Sequence, residues 1–148
     1  MHKNLQLELL EHFPIRDISS ELNEPSGLAL NRSGSKPYTV SDNTKVIFNL
    51  NLQGKIIANS SFLIELKDLE GLAITADDNE IIAVHESSNS VMHFDIDNRE
   101  EIRRTSLSAM KNYDQIVNHF RNDDRNKGLE GITINFNNDH VSSSRKAS

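Results

Sequence analysis

The sequence predicts an all-β chain, arranged as a partial β-propeller of about two to three four-stranded antiparallel blades with one helical insertion, and three observations predict it. The first is a recurring signature. Ser26-Gly27-Leu28-Ala29-Leu30, Glu70-Gly71-Leu72-Ala73-Ile74 and Glu130-Gly131-Ile132-Thr133-Ile134 each place a small or acidic residue and a glycine before alternating apolar positions. The second is the period: 71 minus 27 sets the first two glycines 44 residues apart, inside the ~40 to 50 residue range of propeller blades. The third is the content of the period, short alternating runs parted by Asn, Asp, Gly and Ser turns, which is what four strands per blade require.

Leu5-Gln6-Leu7-Glu8-Leu9 alternates with period two and opens an expected strand over 5–13, an outer strand suited to closing a ring by joining the last blade. The first blade is expected over 26–66. After its signature come Tyr38-Thr39-Val40-Ser41, then Val46-Ile47-Phe48-Asn49-Leu50, the turn Leu52-Gln53-Gly54-Lys55, and a last strand from Ile56 to Leu63. The second blade, 70–128, repeats the plan with Ile81-Ile82-Ala83-Val84, Val91 to Ile96, the turn Asp97-Asn98-Arg99-Glu100, and Glu101 to Thr105. The match reaches single residues, since Asp42 and Glu86 both fall 15 positions after their glycine.

The third glycine follows the second by 131 minus 71, or 60 residues, 16 more than the period. A helix over about 106–121 accommodates the excess: Leu107, Met110, Tyr113, Val117 and Phe120 recur at three and four, with Ser106 as N-cap. Its apolar stripe is expected to face the sheet of its own chain. A third blade begins at 129–141. The tail from 142 to 148, Ser-Ser-Ser-Arg-Lys-Ala-Ser, is polar and basic where an apolar strand is expected, and Lys146 stands where the repeat has Asp42 and Glu86.

Composition bounds the function. Leu, Ile, Val and Phe supply 41 of 148 residues, enough for a core. The net charge is -6, with no basic run interleaved with aromatics, which argues against nucleic acid and in favour of divalent or cationic ligands. The absence of cysteine excludes disulfides, thiolate metal sites and a thiol nucleophile. The longest apolar run, Ile81 to Val84, falls far short of the ~20 residues of a membrane helix, so no membrane span is expected within the chain. Nor do Met1 to Gln6 form the start of a secretory signal.

Two whole blades, one leading strand and the start of a third do not close a ring. The expectation is an incomplete propeller, the N-terminal part of a longer one, associating with a partner or with itself through open blade edges. The alternative is a small self-contained β domain with coincidental repeats.

The signature segments carry a resemblance. Asn23-Glu24-Pro25-Ser26-Gly27-Leu28-Ala29, Asp68-Leu69-Glu70-Gly71-Leu72-Ala73 and Lys127-Gly128-Leu129-Glu130-Gly131-Ile132-Thr133 look like the blade signatures of the SdiA-regulated (YjiK/CarP) family of bacterial propeller proteins, over about Leu5 to Val141. The resemblance implies a six-bladed, phytase-like propeller held at or exported across the inner membrane, hence a cell-envelope location. The chain as written carries no such N-terminal segment, and expressed in that form it is expected in the cytoplasm.

In a propeller the first strand of each blade lines the channel, so acids at the starts of successive first strands converge. Glu24, Glu70 and Glu130 lie at or beside these starts, and Asp42 and Glu86 at the ends of second strands. This set is the candidate metal site, and calcium, which takes six to eight oxygens, is the expected cofactor; propellers of the gluconolactonase and phytase kind imply the same ion by resemblance. Each acid taken singly is equally explained as a solvated loop residue or a turn cap. Asp77-Asp78-Asn79-Glu80 reads as a hairpin turn, His85 and His93 as packed or exposed strand residues, and Ser33-Gly34-Ser35-Lys36 as a turn and not a nucleophile site. No catalytic residue is assigned. The leading functional reading is a non-enzymatic, envelope-associated, calcium-binding module that takes an unknown small ligand or protein and is inactive as a fragment. Its rival is a calcium-dependent hydrolase resembling phytase or lactonase propellers, in which channel calcium would activate water.

Overall fold

Three antiparallel sheets follow one another along the chain, seen in a computed structural model that describes residues 4–116, 129–135 and 140–145. The first contains β1 (Pro25–Leu30), β2 (Pro37–Ser41), β3 (Val46–Asn49) and β4 (Phe62–Leu63), paired in that order. The second contains β5 (Leu69–Ile74), β6 (Glu80–His85), β7 (Ser90–Asp95) and β8 (Glu100–Ser106), again in order. The third is the pair β9 (Leu129–Asn135) and β10 (His140–Arg145). Each four-stranded sheet is a meander, the architecture of a propeller blade, and the third pair repeats its first two strands. The 44-residue offset holds in the register: Tyr38 opposes Asn49 as Ile82 opposes His93, and Val40 opposes Ile47 as Val84 opposes Val91.

The blades stack face to face through their first strands, and the signature glycines explain how. A Cβ at Gly27 would run into the carbonyl oxygen of Glu70 and lie 3.2 Å from its carbonyl carbon. A Cβ at Gly71 would lie 2.9 Å from the Glu130 oxygen and 2.8 Å from the Ile132 nitrogen. Those neighbours are backbone and cannot yield, so each glycine exists to let the next blade's first strand approach. All three first strands also break register at the residue before the glycine, with irregularities between Pro25 and Gly27, Leu69 and Leu72, and opposite Ser144/Arg145. The bulge re-aims Ser26, Glu70 and Glu130 out of the ladder.

Side-chain alternation then assigns faces. Ala29, Tyr38, Val40, Ile47, Phe62 and Ile64 of the first blade pack against Leu72, Ile74, Ile81, Ala83, Met92 and Phe94 of the second. The opposite face of the second blade, with Ile82, Val84 and Val91, packs on Leu129, Ile132 and Ile134 of the third. The second blade thus presents a leading face to its predecessor and a trailing face to its successor. On the leading face of the first blade, Phe48 and Leu50 are covered by Leu22 and Ile15, but Leu28 and Leu30 are 57% and 52% exposed.

At the far end of the blades, turns tie neighbours together. The backbone N–H of Arg32 donates to Asp78 Oδ1 at 3.1 Å, and Arg99 Nη1 donates to the Asn59 carbonyl at 2.7 Å. Asp78 and Gly34, 44 residues apart, both sit at positive φ, 60° and 73°, so the first-to-second-strand turn is the same in both blades.

Four sequence expectations are corrected. Residues 4–16 form no strand, and Leu5, Leu7, Leu9 and Leu10 are exposed; alternation supplies propensity, but the strand requires a sheet edge to join. The fourth strand of the first blade, expected from Ile56 to Leu63, shrinks to Phe62–Leu63, with Ile56 held by one isolated bridge to Leu50. The expected helix is not continuous: β8 runs through Ser106, a 3-10 turn covers Leu107–Ala109, and α1 (Tyr113–Ile116) is one turn long. Ser106 is extended with no side-chain capping bond, and Val117 to Arg121 lie outside the described residues. The polar tail is strand through Arg145, because backbone pairing with β9 proceeds whatever the side chains; Lys146 lies outside the described residues.

Candidate functional site

In an antiparallel blade the first strand begins where the second ends, so Glu24, Asp42, Glu70, Glu86 and Glu130 all lie at one end of the sheets. Within that end they occupy three different situations. Glu70 and Glu130 are half-buried at the bulges of neighbouring first strands. Glu24 precedes β1, is exposed, and accepts a hydrogen bond from Asn43 Nδ2 at 2.9 Å. Asp42 and Glu86 sit just beyond β2 and β6. The Asp42 carbonyl accepts the Asp68 N–H at 3.2 Å, and the Glu86 N–H donates to the Asp68 carbonyl at 3.2 Å. One carboxylate oxygen of Asp42 is buried without a hydrogen-bond partner among the described residues.

Sequence reading missed Asp68, the residue that joins these segments. It lies 44 positions after Glu24, and Ser87 lies 44 after Asn43. Ser87 Oγ donates to Asp68 Oδ2 at 2.6 Å, repeating the Glu24–Asn43 bond of the first blade. Aligning the acids by their distance from the glycine finds this pair directly. Ser26, which stands where the other blades have Glu70 and Glu130, was missed in the same way; its hydroxyl donates to the Leu69 carbonyl at 2.7 Å and bridges the first blade to the second.

His85 is buried, with Nδ1 2.6 Å from Ser88 Oγ, which in turn is 2.6 Å from Ser90 Oγ. Burial lowers its pKa, and the nearby Asp68 carboxylate only partly opposes this. The equivalent turn of the first blade is closed by Thr44 Oγ1 donating to the Ser41 carbonyl at 3.3 Å, so the His85–Ser88 bond has a turn-closing counterpart. His93 Nδ1 lies 3.0 Å from Glu80 Oε2. Asp77 accepts from Thr75 Oγ1 at 2.6 Å, a bond that, together with the Asn79 N–H, holds its carboxyl below the usual range. That is the chemistry of a hairpin turn.

Calcium was the expected cofactor, and the residues at hand do not fit it unaided. Calcium wants six to eight oxygens, yet among the described residues no three His, Asp or Glu side chains gather closely enough to hold a metal ion. Glu24 and Asp68 each accept one side-chain hydrogen bond, from Asn43 and Ser87.

Repeated four-stranded meanders, stacked through glycine-bearing first strands, define a β-propeller module. A family model described as SdiA-regulated matches residues 3–145, and the chain belongs to that family. Its fold is similar to that of Kuenenia stuttgartiensis hydrazine synthase, with a TM-score of 0.57 and 13% sequence identity over 82% of this chain and 30% of that one. The chain therefore spans less than a third of that structure. No curated protein matches it. Among the described residues no helix is long and apolar enough to cross a membrane.

Proposed function

We propose that the chain is a non-catalytic propeller module whose acidic end, once further blades complete the ring, receives a cationic ligand or a basic protein segment. One observation carries the reading: the polar side chains at that end serve as repeated clamps between segments. Glu24–Asn43 and Asp68–Ser87 fasten the entry to each first strand onto the turn after the second strand, and Ser26 fastens blade to blade. Carboxylates held in this way shape and charge that end of the blades. The overall charge of -6 favours a cationic partner through long-range attraction. Family membership supports placing the complete protein at the bacterial cell envelope.

In this reading calcium belongs to the completed ring, to which this chain would contribute Glu70 and Glu130. Thermal unfolding followed by far-UV circular dichroism, in EDTA and in millimolar calcium, tests it. The expected result for this chain alone is the same midpoint in both. A midpoint that climbs by several degrees with calcium overturns the assignment of the ion to the completed ring, because an ion that binds only the folded state stabilises it by mass action.

A further inference from the structure

The turn after the second strand is built differently in the two four-stranded blades. His85 and Ser88 correspond, 44 residues earlier, to Ser41 and Thr44. In the first blade Thr44 Oγ1 donates to the Ser41 carbonyl at 3.3 Å and closes the turn with no imidazole. In the second blade Ser88 Oγ lies 2.6 Å from His85 Nδ1 and 2.6 Å from Ser90 Oγ. Closing this turn therefore does not require a histidine.

The partners of His85 fix where the protons sit along this chain of groups. The Lys67 backbone hydrogen-bonds to the ring in the sense that favours its charged form, as a carbonyl accepting a ring N–H does. A neutral imidazole that donates there keeps its other nitrogen, Nδ1 beside Ser88, as an acceptor. Ser88 then donates to His85, and Ser90, 3% exposed, donates to Ser88. The Asp68 carboxylate, held by Ser87 Oγ at 2.6 Å, favours positive charge on the ring. His85 and Ser90 are buried, whereas Ser88 is exposed. An accessible hydroxyl donating to an oriented imidazole, with a carboxylate nearby, is the arrangement that makes a serine nucleophilic.

We propose that Ser88 is a modification site that accepts an acyl group from an activated ester or thioester, with His85 as its general base. Ser88 Oγ forms a bond to the acyl carbon while its proton passes to His85 Nδ1. The bond from the acyl carbon to the leaving oxygen or sulfur breaks, its electron pair departs on that atom, and the proton on Nδ1 neutralises it. The products are a Ser88 ester and a free phenol or thiol, and His85 returns to its neutral form. One acyl group is taken up per chain and none is turned over, so the module remains non-catalytic. The step needs neither calcium nor further blades, so it stands or falls separately from the cation reading.

Acetylation of the whole chain by p-nitrophenyl acetate in EDTA tests it, with the modified residues located by peptide mass spectrometry and folding verified by circular dichroism. Ser88 is expected to be acetylated well ahead of Ser87, its exposed neighbour, which bonds to a carboxylate and not to an imidazole. His85→Ser, the residue the first blade has at this place, is expected to slow labelling of Ser88 about a hundredfold and to leave that of Ser87 unchanged. If His85→Ser disturbs folding, the wild-type chain in buffer and in urea decides, since the preference for Ser88 over Ser87 is expected only in the folded chain. Equal labelling of Ser87 and Ser88 in the folded chain would overturn the proposal. So would labelling of Ser88 that persists at the wild-type rate in folded His85→Ser.

Discussion

The first and second blades share one sequence pattern but not one environment. The second is enclosed, with the first blade on its leading face and β9 on its trailing face. The first is enclosed on one side only, and the short segment through Ile15 and Leu22 covers part of the other. The same local sequence therefore yields the same strands in both places, because pairing within a blade needs only the blade. Burial differs because it needs a neighbour. A propeller blade is a unit of hydrogen bonding, whereas its core is the property of a pair of blades.

That contrast can be broken at its junction. Gly27→Ala is expected to have the largest effect, a loss of about 3 kcal/mol or more, since its Cβ meets the Glu70 backbone. Gly71→Ala is expected to follow, and urea unfolding of both measures the ranking. Gly34→Ala would bring its Cβ only into van der Waals contact with Leu30 Cδ2, at 3.9 Å, but keeps φ at +73°, so its cost is expected to be smaller, about 1 kcal/mol.

The substitute cover is the next target. Leu22 is fully buried on Phe48 and Leu50, and Leu22→Ala is expected to cost about 2 to 5 kcal/mol. A negligible loss in urea unfolding would mean that the leading face of the first blade has no real cover.

The smallest effect concerns pH and sharpens the difference between the two equivalent turns. The folded-state pKa of His85 lies below its ordinary value of 6.5 because of burial. Between the two values the unfolded chain binds more protons than the folded one, so stability is full above pH 6.5 and falls as pH drops below it. His85→Gln is expected to flatten urea midpoints measured across that window. Ser41 occupies the corresponding place in the first blade and contributes no such dependence.

Much of the architecture was legible in the sequence. Alternation and turn residues located three strands of the first blade and all four of the second, since strand period and turn chemistry are local. What depended on neighbours was not legible. Leu5 to Leu9 has strand alternation, but it pairs with no strand among the described residues. The spacing of Leu107, Met110 and Tyr113 fits a helix, yet β8 continues through Ser106 and leaves only a 3-10 turn and one α-turn among the described residues. At the candidate site, residue type drew attention to Glu24, while the repeat itself pairs Glu24 with Asp68. The end of the blades at which the five acids fall followed from strand order; their separate hydrogen-bonding situations required coordinates.

Equivalent leading-face residues are buried in the second blade and exposed in the first. Urea unfolding of Leu72→Ala and Leu28→Ala, measured side by side, tests this contrast most directly. A loss of about 2 to 4 kcal/mol is expected for Leu72→Ala and a change within about 0.5 kcal/mol for Leu28→Ala. Equal losses would contradict it, showing that the leading face of the first blade is as fully packed as that of the second.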